Sequence, residues 1–260
     1  MASEALRDAM SRFARAKGLP MDGAAQRSPR LPAYGPTHGT AAQIVAAEIE
    51  RGHGDMVPSG LLEMAGVTRA GADAAAERLA RAAARAGVPE AFRSVAPDCS
   101  RNALLGAAEP RGVWVSGTVG TGKTRQACAW LLGWLSAHDD AAAAFVTEAD
   151  MLGRLHGAMA RGSATDPDAL LAAWELADLL VLDDVGQGRP GQWDASQVFR
   201  LVDARWRSMR PTIFTSNLTL PEWGQRLAQV SEGTARAVVS RVAGSCDQLV
   251  CGGIDRRIRR

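Results

Sequence analysis

Hydrophobic positions along this chain keep two different periods. Short apolar, β-branched runs at residues 112–116, 142–147, 179–182, 211–216 and 248–251 read as buried strands. Between them, apolar residues return every three or four positions, as Ala127, Trp130, Leu131, Trp134 and Leu135 do after the first strand. The same spacing predicts helices over 150–160, 167–177, 196–208 and 234–242. Strands alternating with helices predict an α/β fold with a central parallel sheet covered on both faces.

The first 85 residues lack that alternation. Residues 2–17 form an amphipathic helix with Leu6, Met10 and Phe13 on one stripe, and residues 18–39, rich in Pro and Gly, form a linker or extended arm. Helical pattern resumes at 41, breaks at 52–58 and continues to about 87. The segment from Leu61 to Thr68, ahead of an alanine-rich helix containing Leu79, has the small-residue turn and N-cap threonine of a helix-turn-helix. Beside Arg69, however, the early turns of its second helix carry Asp73 and Glu77, which repel phosphate. A plain αα-hairpin that docks on a protein is the preferred reading. The expected organisation is thus a helical, partner-binding region over 1–85 and a nucleotide-handling domain over 86–260.

Composition narrows the class without deciding it. With 47% hydrophobic and 22% charged residues, the 260-residue chain has enough apolar surface for a sizeable core, and a net charge of +2 does not by itself announce a nucleic-acid binder. No apolar run approaches the roughly 18 residues of a membrane span, and Glu4 and Asp8 interrupt any N-terminal signal pattern. Cys99, Cys128, Cys246 and Cys251 show neither C-x-x-C pairing nor metal-ligand spacing, so reduced thiols in a cytoplasmic protein without membrane association are expected.

The chemistry is concentrated in Gly117, Thr118, Val119, Gly120, Thr121, Gly122, Lys123 and Thr124, which match G-x-x-x-x-G-K-[ST] between a predicted strand and a predicted helix. Glycines let the backbone curl with its N–H groups facing phosphate oxygens. Lys123 reaches the β and γ phosphates, and the Thr124 hydroxyl ligates Mg2+. Of the 30 basic residues only Lys17 and Lys123 are lysine, so an arginine-rich chain keeps a slim ammonium at the one position that needs it.

Two further strand ends carry polar residues. The run ending at Leu182 is followed by Asp183 and Asp184, carboxylates at the carboxyl end of a central parallel strand, where such sheets bind ligands. Asp183 is expected to hold Mg2+ and Asp184 to orient or deprotonate the attacking water. Thr215, Ser216 and Asn217 end another run, and if that strand lies beside the first, Asn217 faces the γ phosphate. Arg236 and Arg241, on the helix predicted at 234–242, are candidates for an arginine finger acting on a neighbouring copy.

Together, Gly117–Thr124, Leu179-Leu180-Val181-Leu182-Asp183-Asp184-Val185-Gly186, Val202-Asp203-Ala204-Arg205-Trp206 with 211–217, and Val239-Ser240-Arg241-Val242 resemble the DnaC/DnaI-type replicative helicase loaders and the related IstB transposition ATPases. The likeness extends over about residues 86–260, starting from Ala86-Gly87-Val88-Pro89-Glu90-Ala91-Phe92-Arg93. It implies an AAA+ P-loop ATPase that works as a ring or spiral. Asp183 then matches the Walker B aspartate, Asp184 the neighbouring acidic residue, Asn217 sensor 1 and Arg241 the finger in the S-R motif. Arg205 falls on a family arginine of unassigned role. It further implies ATP and Mg2+ as cofactors, a hexameric DnaB-type helicase gripped by the N-terminal region, single-stranded DNA, and self-association through the ATPase domains.

The chain also departs from the family. Many AAA+ proteins have glutamate where Asp184 stands, and the shorter acid implies slow hydrolysis suited to a switch. A DnaI-like zinc-binding N-terminal domain is not visible, nor is a helical lid after Arg241. The terminal Arg256, Arg257, Arg259 and Arg260 are either a contact to nucleic-acid backbone or a solvated tail. Helicase loading is the leading expectation, with a transposition helper and a nucleotide-regulated DNA-binding protein as alternatives.

Overall fold

A computed structural model describes residues 69–253. The chain divides into two compact units, Met1–Glu77 and Arg78–Arg260, and the fold below is that of the second. The helix expected over 2–17, the linker at 18–39, the turn at 61–68 and the terminal arginine cluster lie outside the described residues.

Helix α1 (Arg69–Arg85) is followed by the short helices α2 (Glu90–Arg93) and α3 (Asn102–Leu105). Then strands and helices alternate: β1 (Gly112–Ser116), α4 (Lys123–Ala137), β2 (Ala143–Thr147), α5 (Glu148–Ala158), α6 (Pro167–Leu176), β3 (Leu179–Val185), α7 (Gln192–Arg207), β4 (Thr212–Ser216), α8 (Leu220–Ala228), α9 (Glu232–Ser245) and β5 (Cys246–Val250). The sheet runs β2-β3-β4-β1-β5 and every neighbouring pair is parallel. From β1 the chain crosses to β2 at one edge of the sheet, so the loops leaving β1 and β3 rise on either side of β4. That is the crevice in which parallel sheets hold ligands.

Alternation along the strands sorts the core into two layers. Val113, Val115, Leu179, Val181 and Ile213 face α4 and its neighbours, whereas Trp114, Leu180, Leu182 and Phe214 face the side covered by α5 to α9. Register keeps each layer continuous, with Val113 opposite Ile213 and Trp114 opposite Phe214. On the second face Trp114 stacks on Trp223 at 5.0 Å and its indole N–H donates to Leu218 O at 3.3 Å, fixing α8 close to the ends of β1 and β4.

The structure adjusts several expected boundaries and adds one helix. α7 starts at Gln192 rather than 196, because the Asp194 carboxylate accepts from the Gly191 amide at 2.8 Å and caps an earlier turn. β3 continues past Leu182 to Val185. Helix α8, which apolar spacing did not predict, is started by Thr219 and Glu222: the Glu222 carboxylate accepts from the Thr219 amide at 2.7 Å, and Thr219 Oγ1 accepts from the Glu222 amide at 3.4 Å. Among the described residues, the chain after α9 passes directly into β5, with no helical lid.

Candidate functional site

The loop from Gly117 to Thr124 joins β1 to α4 and takes left-handed backbone at Gly117 (φ +151°), Gly120 (+78°) and Gly122 (+92°). At Gly117 space is as restrictive as conformation, since a Cβ there would lie 2.2 Å from the Cys251 carbonyl oxygen. Thr121 Oγ1 donates to Thr118 O at 2.9 Å and closes the turn, while Val119 stands exposed at its tip. Lys123, the first residue of α4, is buried. Its ammonium donates to Gly117 O, Thr118 O and Asn217 Oδ1, each at 2.9 Å. The loop therefore sits against the end of β4, beside β1, and Asn217 and Lys123 meet in space across 94 residues of sequence.

Asp183 and Asp184 sit on a β-bulge. Leu182 pairs with Phe214 and Val185 with Ser216, so two residues of β3 face the single Thr215 of β4. One hydroxyl serves both acids: Thr215 Oγ1 donates to Asp183 Oδ1 at 2.5 Å and accepts from the Asp184 amide at 3.0 Å. The bulge puts Asp184 at φ +55°, a left-handed conformation that aspartate tolerates better than most L-residues. Asp183 is 3% exposed, and Thr124 Oγ1 donates to its Oδ2 at 3.2 Å. Burial raises the Asp183 pKa, and the adjacent Asp184 adds to the rise; hydrogen bonds from Thr215 and Thr124 and the charge of Lys123 work against it. The site thus contains a carboxylate whose charge lacks full compensation.

The residues present suit a magnesium–triphosphate pair. Mg2+ prefers oxygen ligands, needs only one or two from protein, and takes the rest from phosphate and water. Thr124 Oγ1 and Asp183 Oδ2 are such a pair, and a cation there would relieve the buried charge. Among the described residues no group of three or more His, Cys, Asp or Glu could hold a metal unaided. The amino end of α4, with its dipole, and the ammonium of Lys123 are the complementary anion-binding groups.

Arg241 does not join this cluster. On α9 it donates to Asp203 Oδ1 at 2.7 Å and to Ala237 O at 3.0 Å, between the rings of Phe199 (5.2 Å) and Trp206 (5.1 Å). Arg236, on the same helix, is exposed.

Arg205 has an internal role that the sequence did not reveal. It is 2% exposed and donates to Thr212 Oγ1, to the carbonyls of Trp174, Glu175 and Ala177, and to Pro211 O, at 2.6 to 3.3 Å. It closes the amino ends of β3 and β4, opposite the phosphate loop. Burial first, then the charge of Arg210, pulls its pKa down to about 9, so it stays protonated at neutral pH.

Two other residues near the loop were missed by sequence reasoning. Thr215 offered a weak signal, one of three hydroxyl residues in a buried strand. Glu148, the first residue of α5, offered none. It is nearly buried and its Oε2 accepts from the Gly186 amide at 2.7 Å. The cysteines are all free among the described residues, and burial pushes the Cys128 and Cys246 thiols up to about 12, which makes them unreactive. No helix of the described residues is long and apolar enough to cross a membrane.

Comparison with known proteins agrees with this geometry. Among solved structures, the chain is similar to the DnaC helicase loader, at 24% identity over 55% of this chain and 80% of that one, with a TM-score of 0.47. It is also similar to DnaI, at 20% identity over 72% and 82% respectively, with a TM-score of 0.47. A putative primosome component from Streptococcus pyogenes serotype M3 shares 19% identity over 69% of this chain and 98% of that one, with a TM-score of 0.52. At such identities the last likeness supports the fold alone. No curated protein matches in sequence. The family model described as IstB-like ATP binding protein matches residues 107–260, from just before β1 through β5 and to the last residue. The five-stranded parallel sheet, the glycine-rich loop and the acid pair lie inside that span, and the chain belongs to the IstB-like ATP-binding family of AAA+ P-loop proteins.

Proposed function

We propose that this protein is a Mg2+-dependent ATPase that works as an assembly of several copies and loads a replicative DNA helicase in the cytoplasm. The observation that carries the ATPase reading is the convergence of Lys123, Asn217, Thr124 and Asp183 from three separate strand ends. In this reading the amides of Gly117–Thr124 and the Lys123 ammonium hold the β and γ phosphates. Thr124 and Asp183 hold the cation. Bound Mg2+ supplies neutralisation of the charge that builds on the transferred phosphoryl group. Asp184 accepts a hydrogen bond from the attacking water and receives its proton, and Asn217 aligns that water and the γ phosphate. Arg241 stabilises the charge on a neighbouring copy's nucleotide, which requires it to leave Asp203 on assembly.

Titration calorimetry with Mg-ATP tests the first step: Lys123→Ala should abolish the heat of binding. Asp184→Ala should keep binding and slow turnover, and Arg241→Ala should bind as a monomer yet lose concentration-dependent hydrolysis. Normal hydrolysis by that last variant at high protein concentration assigns the role to another arginine.

The loading role rests on the motif resemblance rather than on the solved neighbours. It implies that residues 1–85 bind a DnaB-type hexameric helicase while the domain over 86–260 engages single-stranded DNA. A pulldown with and without residues 1–85 checks this, and undiminished capture by the shortened chain contradicts it. The family match favours a second reading, a transposition helper acting on duplex DNA. Co-purification from the host with ATP present separates them: a helicase supports loading, a transposase supports the helper.

A further inference from the structure

The carboxylate of Asp184 has no hydrogen-bond partner among the described residues, so its aim is inherited from the backbone that carries it. That backbone is pinned by side chains rather than by a regular ladder. Thr215 Oγ1 takes the Asp184 amide, and Ser216 Oγ donates to Val185 O at 2.6 Å. At the next residue both peptide groups are held from outside the sheet. Glu148 Oε2 accepts from the Gly186 amide at 2.7 Å, and Arg226 of α8 donates to the Gly186 carbonyl.

Gly186 lies at φ +79°, and a Cβ there would come within 2.7 Å of Trp223 Cδ1. Glycine is therefore the residue that fits this turn, and Glu148 and Arg226 hold its two peptide groups. An acid in the first turn of a helix normally sits in water. Glu148 instead lies 9% exposed, with Asp194 adding to the repulsion it meets. Among the described residues, the one hydrogen bond of its side chain is to the turn that carries the acid pair.

We propose that Glu148 is a positioning residue for hydrolysis: through Gly186, and together with Arg226, it clamps the turn after β3 and fixes the direction of the Asp184 carboxylate. The proposal rests on the reading of Asp184 as the group that activates water. It assigns the acceptor oxygen of Glu148, rather than its charge, as the working part.

The test compares the full chain with its Glu148→Ala and Glu148→Gln variants. Steady-state ATP turnover is read together with amide hydrogen exchange of the segment 183–188, after thermal melting has confirmed a folded state. For Glu148→Ala the expected result is a kcat lower by about tenfold, an unchanged KM for ATP and faster exchange at Gly186. Glu148→Gln, which keeps an acceptor oxygen, should restore both values towards wild type. Should Glu148→Ala fail to fold, Arg226→Met removes the other half of the clamp and should show the same split in smaller degree.

A wild-type kcat in Glu148→Ala overturns the proposal, as does unchanged exchange, or a Gln variant no better than Ala. If the wild-type chain itself shows no turnover, the ATPase reading fails. The exchange arm still decides the clamp, since exchange that is slow in wild type and Gln but fast in Ala upholds it and equal exchange in all three removes it.

Discussion

Two buried charges stand at opposite ends of the same sheet, and they are treated in opposite ways. At the amino ends of β3 and β4, Arg205 is surrounded by acceptors: a threonine hydroxyl and four backbone carbonyls. At the carboxyl ends, Asp183 receives two hydroxyl donors, with another acid, Asp184, as its chain neighbour. Burial disfavours both charges, but Arg205 meets five acceptors and ties them together, which secures the fold. A charge left short of partners holds back free energy that a cation can release on binding, so one end of the sheet is built for stability and the other for a ligand.

The sharpest way to break this contrast is Arg205→Met, which takes the Arg205 donors from the carbonyls of Trp174 and Ala177 and leaves Pro211 O only the Leu180 amide at 3.4 Å. Urea unfolding should show a loss of about 3–5 kcal/mol, the same with and without nucleotide. Recovery of that loss on adding Mg-ATP would mean that the two ends are not independent.

Next in size is the pH dependence of Glu148. Burial, the larger cause, and then Asp194 raise its pKa from 4.5 to about 7, against the hydrogen bond from Gly186 and the charge of Arg226. An acid whose folded pKa lies above its unfolded value stabilises the fold below the unfolded pKa and loses that contribution as pH rises through the folded one. Between about pH 4.5 and 7, stability should therefore fall by up to about 3 kcal/mol on this account. Denaturation of Glu148→Gln should lack that slope, and an identical slope in the variant would show that other groups titrate there.

The smallest effect carries the opposite sign to the first. Asp183→Asn keeps an acceptor for Thr215 and removes the uncompensated charge. The nucleotide-free chain should therefore gain about 1 kcal/mol at neutral pH while its affinity for Mg-ATP falls by more than about tenfold. A variant that is less stable without nucleotide would show that the Asp183 charge is already balanced in the free protein.

How legible each end was follows from where its partners come from. The phosphate loop and the strand and helix around it could be read because their signals are local: a β-branched run, spaced glycines, one lysine. The parallel sheet followed from alternation alone, and Asn217 followed once β4 was placed beside β1. Arg205 could be noticed but not understood. Its acceptors are main-chain carbonyls, three of them on residues about 30 positions away, and carbonyls belong to every residue type alike. The bulge at Asp183 and Asp184 was hidden for a related reason, since counting two residues against one requires the partner strand. Helix α8 was a missed local signal, because Thr219 and Glu222 stand at the spacing of a capping box.

The backward twist at Asp184 also restricts which residues that position can accept. Glycine, asparagine and aspartate tolerate that backbone best, and of these only aspartate carries a carboxylate. Lengthening the acid to glutamate would bring it nearer to many of its AAA+ cousins while working against its own main chain. In this protein the shorter acid is the one the bend permits, and a longer one at this position would first need a differently shaped strand.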